Sequence, residues 1–197
     1  MKTLLSLFCL VTYLTCALSA NVNIESCTGA TLVGEGEDSD TIVAHRRLCA
    51  GIDKAIANIG DNEDFVTWLG EYTPERADKV KDSFKAIKDA LNQNQIEYLG
   101  NFKGCTNGEA ADPVKGRPML GLCEPYYGFQ LDCSGTVESK EFTLITFWDY
   151  AYGGGRYGGP GSGEKDPEIF KMIARDHPNI AIIDYYNIGF FYCASQK

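Results

Sequence analysis

The side chains able to do chemistry in this chain are few and scattered. It has two histidines, and a metal centre built on either would need other donors close by. His45 lies in Ala44-His45-Arg46-Arg47, where two cations disfavour a metal, and it reads as a helix-surface histidine. His177 precedes Pro178 near an expected helix end, where a cation suits the helix dipole. Asp149, Asp166, Asp176 and Asp184 lack the alternating acidic spacing of a calcium loop and read as caps or surface charges. Ser162 sits in Gly161-Ser162-Gly163, which is not the Gly-x-Ser-x-Gly of a nucleophile elbow. Glu138 and Glu141 offer two carboxylates, but local spacing does not define the cleft separation that glycoside chemistry needs. The glycine-dominated run Gly153 to Gly163 lacks the Gly-Lys-Ser/Thr ending of a phosphate loop and reads as a mobile loop.

The cysteines say more. There are eight in all. The first twenty residues read as a secretory signal: Lys2, then an apolar run from Leu4 to Leu18, then Ala17-Leu18-Ser19-Ala20 for cleavage. Its removal takes Cys9 and Cys16 and leaves Cys27, Cys49, Cys105, Cys123, Cys133 and Cys193. An even set in an exported chain suggests up to three disulfides. Spacing does not choose the pairing, although Cys105 and Cys123 could close the loop between them. No CxxC pair supports a zinc finger or a thioredoxin-type centre. The whole chain has 18 basic and 27 acidic residues. Without Lys2 the balance is 17 minus 27, or −10, which argues against nucleic acid and anionic membranes as partners. No later stretch approaches the roughly 20 apolar residues of a membrane span. The expectation is a secreted, extracellular protein with a signal over 1–20 and one domain over 21–197.

The elements that would position these residues follow from periodicity and caps. Residues 21 to 38 are polar and Gly-rich, with Gly34 to Asp38 exposed. A helix starts near Ser39 or Asp40, with Ile42, Val43, Cys49, Ile52, Ile56 and Ile59 as its apolar positions and Gly60 as its stop. A short helix over Glu63 to Leu69 buries Phe65, Trp68 and Leu69. Thr73 caps the next one and Pro74 fits its first position. Val80, Phe84, Ile87 and Leu91 form its stripe. Ile96 to Leu99 and Met119 to Leu122 read as strands. Asp166-Pro167-Glu168 opens a further helix that ends before Pro178. Phe142 to Tyr152 and Ile180 to Tyr192 are apolar throughout, so periodicity separates neither into strand or helix. The β-branched and aromatic content of the first favours strand. The fold class expected is α+β, with helices packed on a small twisted sheet.

Several separated pieces resemble the deuterolysin-like zinc proteases, or aspzincins, especially the peptidyl-Lys metalloendopeptidase branch. Thr67-Trp68-Leu69-Gly70-Glu71-Tyr72-Thr73 is similar to its Trp-Phe-Gly-x-Tyr region. Leu122-Cys123 resembles its Leu-Cys strand end, with Tyr126-Tyr127 following. Thr143-Leu144-Ile145 matches the lead into its zinc helix, and Tyr157-Gly158 matches its later Tyr-Gly. Pro178 to Phe191, with Ala181-Ile182 and Asn187, resembles its closing region. The likeness covers residues 45 to 192 and implies a zincin-like fold.

In that family two histidines one helical turn apart bind zinc, and a glutamate between them activates the metal-bound water, whose pKa falls to about 7. Here the resemblance places Thr146 and Tyr150 at the histidine positions and Phe147 at the glutamate. The third-ligand aspartate has no clear counterpart. Of the family's site residues Tyr157 alone has a match, to the transition-state tyrosine. The implied protein is a degenerate, catalytically inactive metalloendopeptidase-like pseudoenzyme with no cofactor. Phe147, Trp148, Tyr150 and Tyr152 then either repack the empty site or form an aromatic binding surface. Its partner would be a protein or a cell-wall component, and the mostly fungal family suggests an effector-like or decoy role by analogy. The alternative is an active secreted zinc metalloendopeptidase with an altered metal site.

Overall fold

The computed structural model describes residues 27, 29–34, 38–105, 109–133, 138–156 and 166–197. The expected signal at 1–20, Tyr157 and most of the glycine run lie outside the described residues. The first strand, β1, is Ala30–Val33. Helix α1, Ser39–Ala57, follows once the Asp38 carboxylate accepts the Asp40 N–H at 3.1 Å. Its buried face is Thr41, Ala44, His45, Leu48, Cys49, Ile52 and Ala55. Val43, expected in the apolar stripe, is exposed. Small and polar residues on the buried face masked its true direction.

Helix α2, Glu63–Leu69, is capped by Asn62, and α3, Pro74–Gln93, by Thr73 with Pro74 in its first turn. Val80, Phe84, Ile87 and Leu91 are all fully buried, as an amphipathic helix on a core requires. Strands β2, Ile96–Leu99, β3, Ala111–Pro113, and β4, Met119–Leu122, complete a sheet in the order β1-β2-β4-β3. β1, β2 and β4 run parallel, and β3 lies antiparallel on β4 at one edge. Pro113 suits an edge position because it has no N–H for a second neighbour. β1 lies in the segment that reads as polar and Gly-rich, where four residues give no strand signal.

After the short α4, Glu124–Tyr127, comes α5, Lys140–Trp148, which runs directly into a single π-helical turn over Asp149–Gly153. The strand expected over this segment is therefore a helix. Its apolar and β-branched residues reflect burial on nearly every side rather than a pleat. Lys140 is buried at the start of α5 and pairs with Asp38 at 2.7 Å, which ties α5 to the start of α1. Helices α6, Pro167–Asp176, α7, Pro178–Ala181, and α8, Tyr185–Ala194, close the chain. α8 is likewise wrapped in protein, with Ile188, Phe191 and Tyr192 fully buried. The architecture is α+β. Three disulfides join Cys27 to Cys49, Cys105 to Cys123 and Cys133 to Cys193. Among the described residues no helix is long and apolar enough to cross a membrane.

Candidate functional site

Ser139 caps α5 by accepting the Phe142 N–H at 3.1 Å. The next two hydroxyls on that face serve the helix itself: Thr143 donates to the Ser139 carbonyl and Thr146 to the Thr143 carbonyl, each at 2.9 Å. Thr146 is buried against α8, where a Cβ added at Gly189 would lie 2.5 Å from its methyl group. The hydroxyl is thus bonded within its helix and the methyl fills the gap to the neighbouring one. A gap of only about 10 Å³ remains between Thr146, Phe147, Glu109 and Tyr186.

The following residues divide by environment. Phe147 is half-buried, Tyr150 is 53% exposed and Tyr152 is half-buried. Trp148 is fully buried, donates Nε1–H to the Tyr98 hydroxyl at 3.2 Å and stacks on Tyr152. Trp148 is a core residue, so its place among the candidate binding aromatics is corrected. Phe147 and Tyr150 line an open cavity of about 220 Å³ with Tyr185, Ala111, Pro113, Glu109 and Asp112. Tyr150 meets Tyr185 edge to face at 5.8 Å. Burial raises the Asp112 carboxyl above its ordinary pKa. Burial, and then the nearby Glu109 charge, push the Tyr185 phenol up to about 12. Tyr150 and Tyr152 also border a larger groove of about 700 Å³ beside Arg117, Lys115 and Asn94. The result is an aromatic cleft with two carboxylates, beneath the edge strand β3.

Asp149, expected as a cap or a surface charge, stands at the C-cap of α5 and is buried. It accepts a short hydrogen bond from the Ser83 hydroxyl of α3, and its second oxygen has no hydrogen-bond partner. Gly153 and Gly155 close over the carboxylate, since a Cβ at either would fall within 2.5 Å of it. Burial pushes its pKa up to about 7, opposed by the Ser83 bond and aided by the Asp184 charge. Asp149 is a structural post inside the π turn rather than a group facing the cleft. Asp184 and Asp166 act as caps, of α8 and α6 respectively.

His45 also differs from its expected surface position. It is 2% exposed, with Nδ1 at 2.8 Å from the Tyr98 hydroxyl and Nε2 at 3.5 Å from Cys49 Sγ. The signal for this burial was Cys49 itself, one turn further along the same face.

Thr146, Phe147 and Tyr150 do not make a zinc site. Phe147 has no donor atom, the Thr146 hydroxyl is spent on its own helix, and zinc requires three or four N, S or O ligands. Among the described residues, the one group of His, Cys, Asp or Glu close enough to share an ion is Cys27, His45 and Cys49. Sequence reasoning missed Glu109, Asp112 and Tyr185, because the sheet edge and the start of α8 bring them to Tyr150 from distant parts of the chain.

No protein family model matches this chain, and no curated protein matches it. A solved structure does. A zinc peptidase from Grifola frondosa superposes with a TM-score of 0.66, covering 80% of this chain and 94% of its own, at 16% sequence identity. The chain has the fold of a zinc peptidase.

Proposed function

We propose that this is a catalytically silent relative of the deuterolysin-like proteases, exported to bind an extracellular protein or cell-wall partner as an effector-like protein or decoy. The observation that carries the reading is the state of three positions. Where a zinc protease of this fold would hold two histidines and a glutamate, Thr146 is bonded into its own helix, Phe147 is apolar and Tyr150 faces solvent. A peptidase cannot polarise a carbonyl or activate water with that set. What remains is a cleft with a partly exposed aromatic floor and two carboxylates. Aromatic rings offer large contact area at low entropic cost, and the carboxylates favour a segment carrying Lys or Arg. Export is supported by the signal-like first twenty residues and by the three disulfides.

The test combines metal content with activity. Purified mature protein is dialysed against trace-metal-free buffer, assayed for zinc by elemental mass spectrometry, and incubated with denatured protein substrates with and without chelator. The expected result is far less than one zinc per chain and no cleavage. About one zinc per chain with chelator-sensitive cleavage would overturn the reading and favour the active enzyme.

A further inference from the structure

A line of hydrogen bonds crosses the core away from the cleft. The Trp148 indole N–H donates to the Tyr98 oxygen, and that hydroxyl contacts His45 Nδ1. Burial holds the Tyr98 phenol well above its ordinary pKa, so it stays neutral and can donate its O–H. In the tautomer that lets the Tyr98 O–H donate to Nδ1, the ring proton sits on Nε2 and faces Cys49 Sγ at 3.5 Å. The other sulfur, Cys27, is half-buried and lies outside any helix. A thiolate reductant therefore reaches Cys27 more easily than Cys49, which is 4% exposed. Cys49 is then the leaving group, and the imidazole N–H is in place to stabilise its charge.

We propose that, once its disulfide is reduced, Cys27, Cys49 and His45 form a thiolate–imidazole site for a thiophilic ion such as Zn²⁺. Their ligand atoms already lie within 4.8 Å of one another. His45 and Cys49 stand one turn apart on α1, so both donors project from one face. Ligand bonds of roughly 2.0 to 2.3 Å require the donors to lie about 3.5 Å apart, and Cys27, outside any helix, has the freedom to swing off Cys49 to that distance. Zinc takes Nε2 once the ring proton moves to Nδ1, where the Tyr98 oxygen accepts it and orients the ring as a second-sphere partner. The chemistry balances with a dithiol reductant. The dithiol becomes its cyclic disulfide, its two protons pass to Cys27 and Cys49, and binding of Zn²⁺ releases both as the thiols ionise. Among the described residues neither of the other disulfides belongs to such a group of donors. The tie between α1 and the chain entering β1 would thus persist in both redox states, as a covalent bond or as a metal bridge.

The experiment reduces the protein with a phosphine, adds Zn²⁺ or buffer, alkylates free thiols with iodoacetamide and maps each cysteine by mass spectrometry. The expected pattern is at least tenfold slower alkylation of Cys27 and Cys49 with zinc, and no change at Cys105, Cys123, Cys133 or Cys193. His45→Gln should remove that protection. Cobalt added to the reduced protein should give a thiolate charge-transfer band that the variant loses. Equal alkylation at all six cysteines, protection centred on another pair, or undiminished protection in His45→Gln would each overturn the proposal. The wild-type pattern decides the matter even where the variant folds poorly, and Cys27→Ser gives a second check, since Cys49 should then lose its protection.

Discussion

Asp149 carries a consequence that follows from its burial alone. Its folded-state pKa is raised to about 7, so the native protein prefers it protonated while the unfolded chain ionises it near pH 4. Its contribution to stability is full below about pH 4 and is lost as pH rises through about 7. Each tenfold change in proton affinity corresponds to about 1.4 kcal/mol, so the loss is on the order of a few kcal/mol. Asp149→Asn keeps an acceptor for Ser83 and should melt higher than wild type at about pH 8, with a shallower decline of Tm above pH 4. An unchanged Tm profile in that variant would show that the carboxylate is ionised at little cost. Glu141 has a burial-raised pKa as well, so the decline should be reduced rather than abolished. A second expectation concerns the cleft. The triple change Thr146→His, Phe147→Glu and Tyr150→His should give no robust protease. A larger side chain at 146 meets Gly189, an overpacking cost of about 1–3 kcal/mol. Chelator-sensitive proteolysis by the triple variant would contradict this.

At the scale of elements, legibility followed from whether one face meets water. The bounds of α2 and the start of α3, with Thr73 as cap and Pro74 in the first turn, agree with the sequence reading because both helices have a wet face and capped starts. α5 and α8 have almost no wet face, so the period of their apolar residues carried no signal. Their caps, Ser139 and Asp184, were the usable clue. β1 is as long as β2 and β4 but lies in a stretch that reads as polar and Gly-rich, and β3 has only three residues, Ala-Asp-Pro. Of the cleft, Phe147 and Tyr150 were visible through the resemblance, but Glu109, Asp112 and Tyr185 required the sheet order and the placing of α8. Gly70 ends α2 at φ 85°, and a Cβ there would lie 2.3 Å from the Ala174 carbonyl of α6. Gly70→Ala combines a left-handed strain with a backbone clash. It should lower stability by about 2 kcal/mol or more in a denaturant titration, whereas Gly116→Ala, with open space around it, should cost only its backbone strain.

For the molecule as a whole, the three disulfides differ in what they constrain. The Cys133–Cys193 bond joins residues 60 apart and the Cys105–Cys123 bond residues 18 apart. Chain-entropy arguments assign them about 4 and about 3 kcal/mol respectively. Replacing both cysteines of the longer link by serine should therefore lower Tm further than replacing those of the shorter one, and equal losses would point to strain or residual unfolded structure. The line from Trp148 through Tyr98 and His45 to Cys49 has an optical consequence. The chain has two tryptophans, and Trp68 stacks on Phe190 in a separate aromatic cluster. Emission from Trp148 depends on what its N–H meets, and that partner is linked through one imidazole to a sulfur. Opening the Cys27–Cys49 bond should then alter the fluorescence of an indole deep in the protein and leave the Trp68 signal steady, so the protein carries its own reporter of that bond.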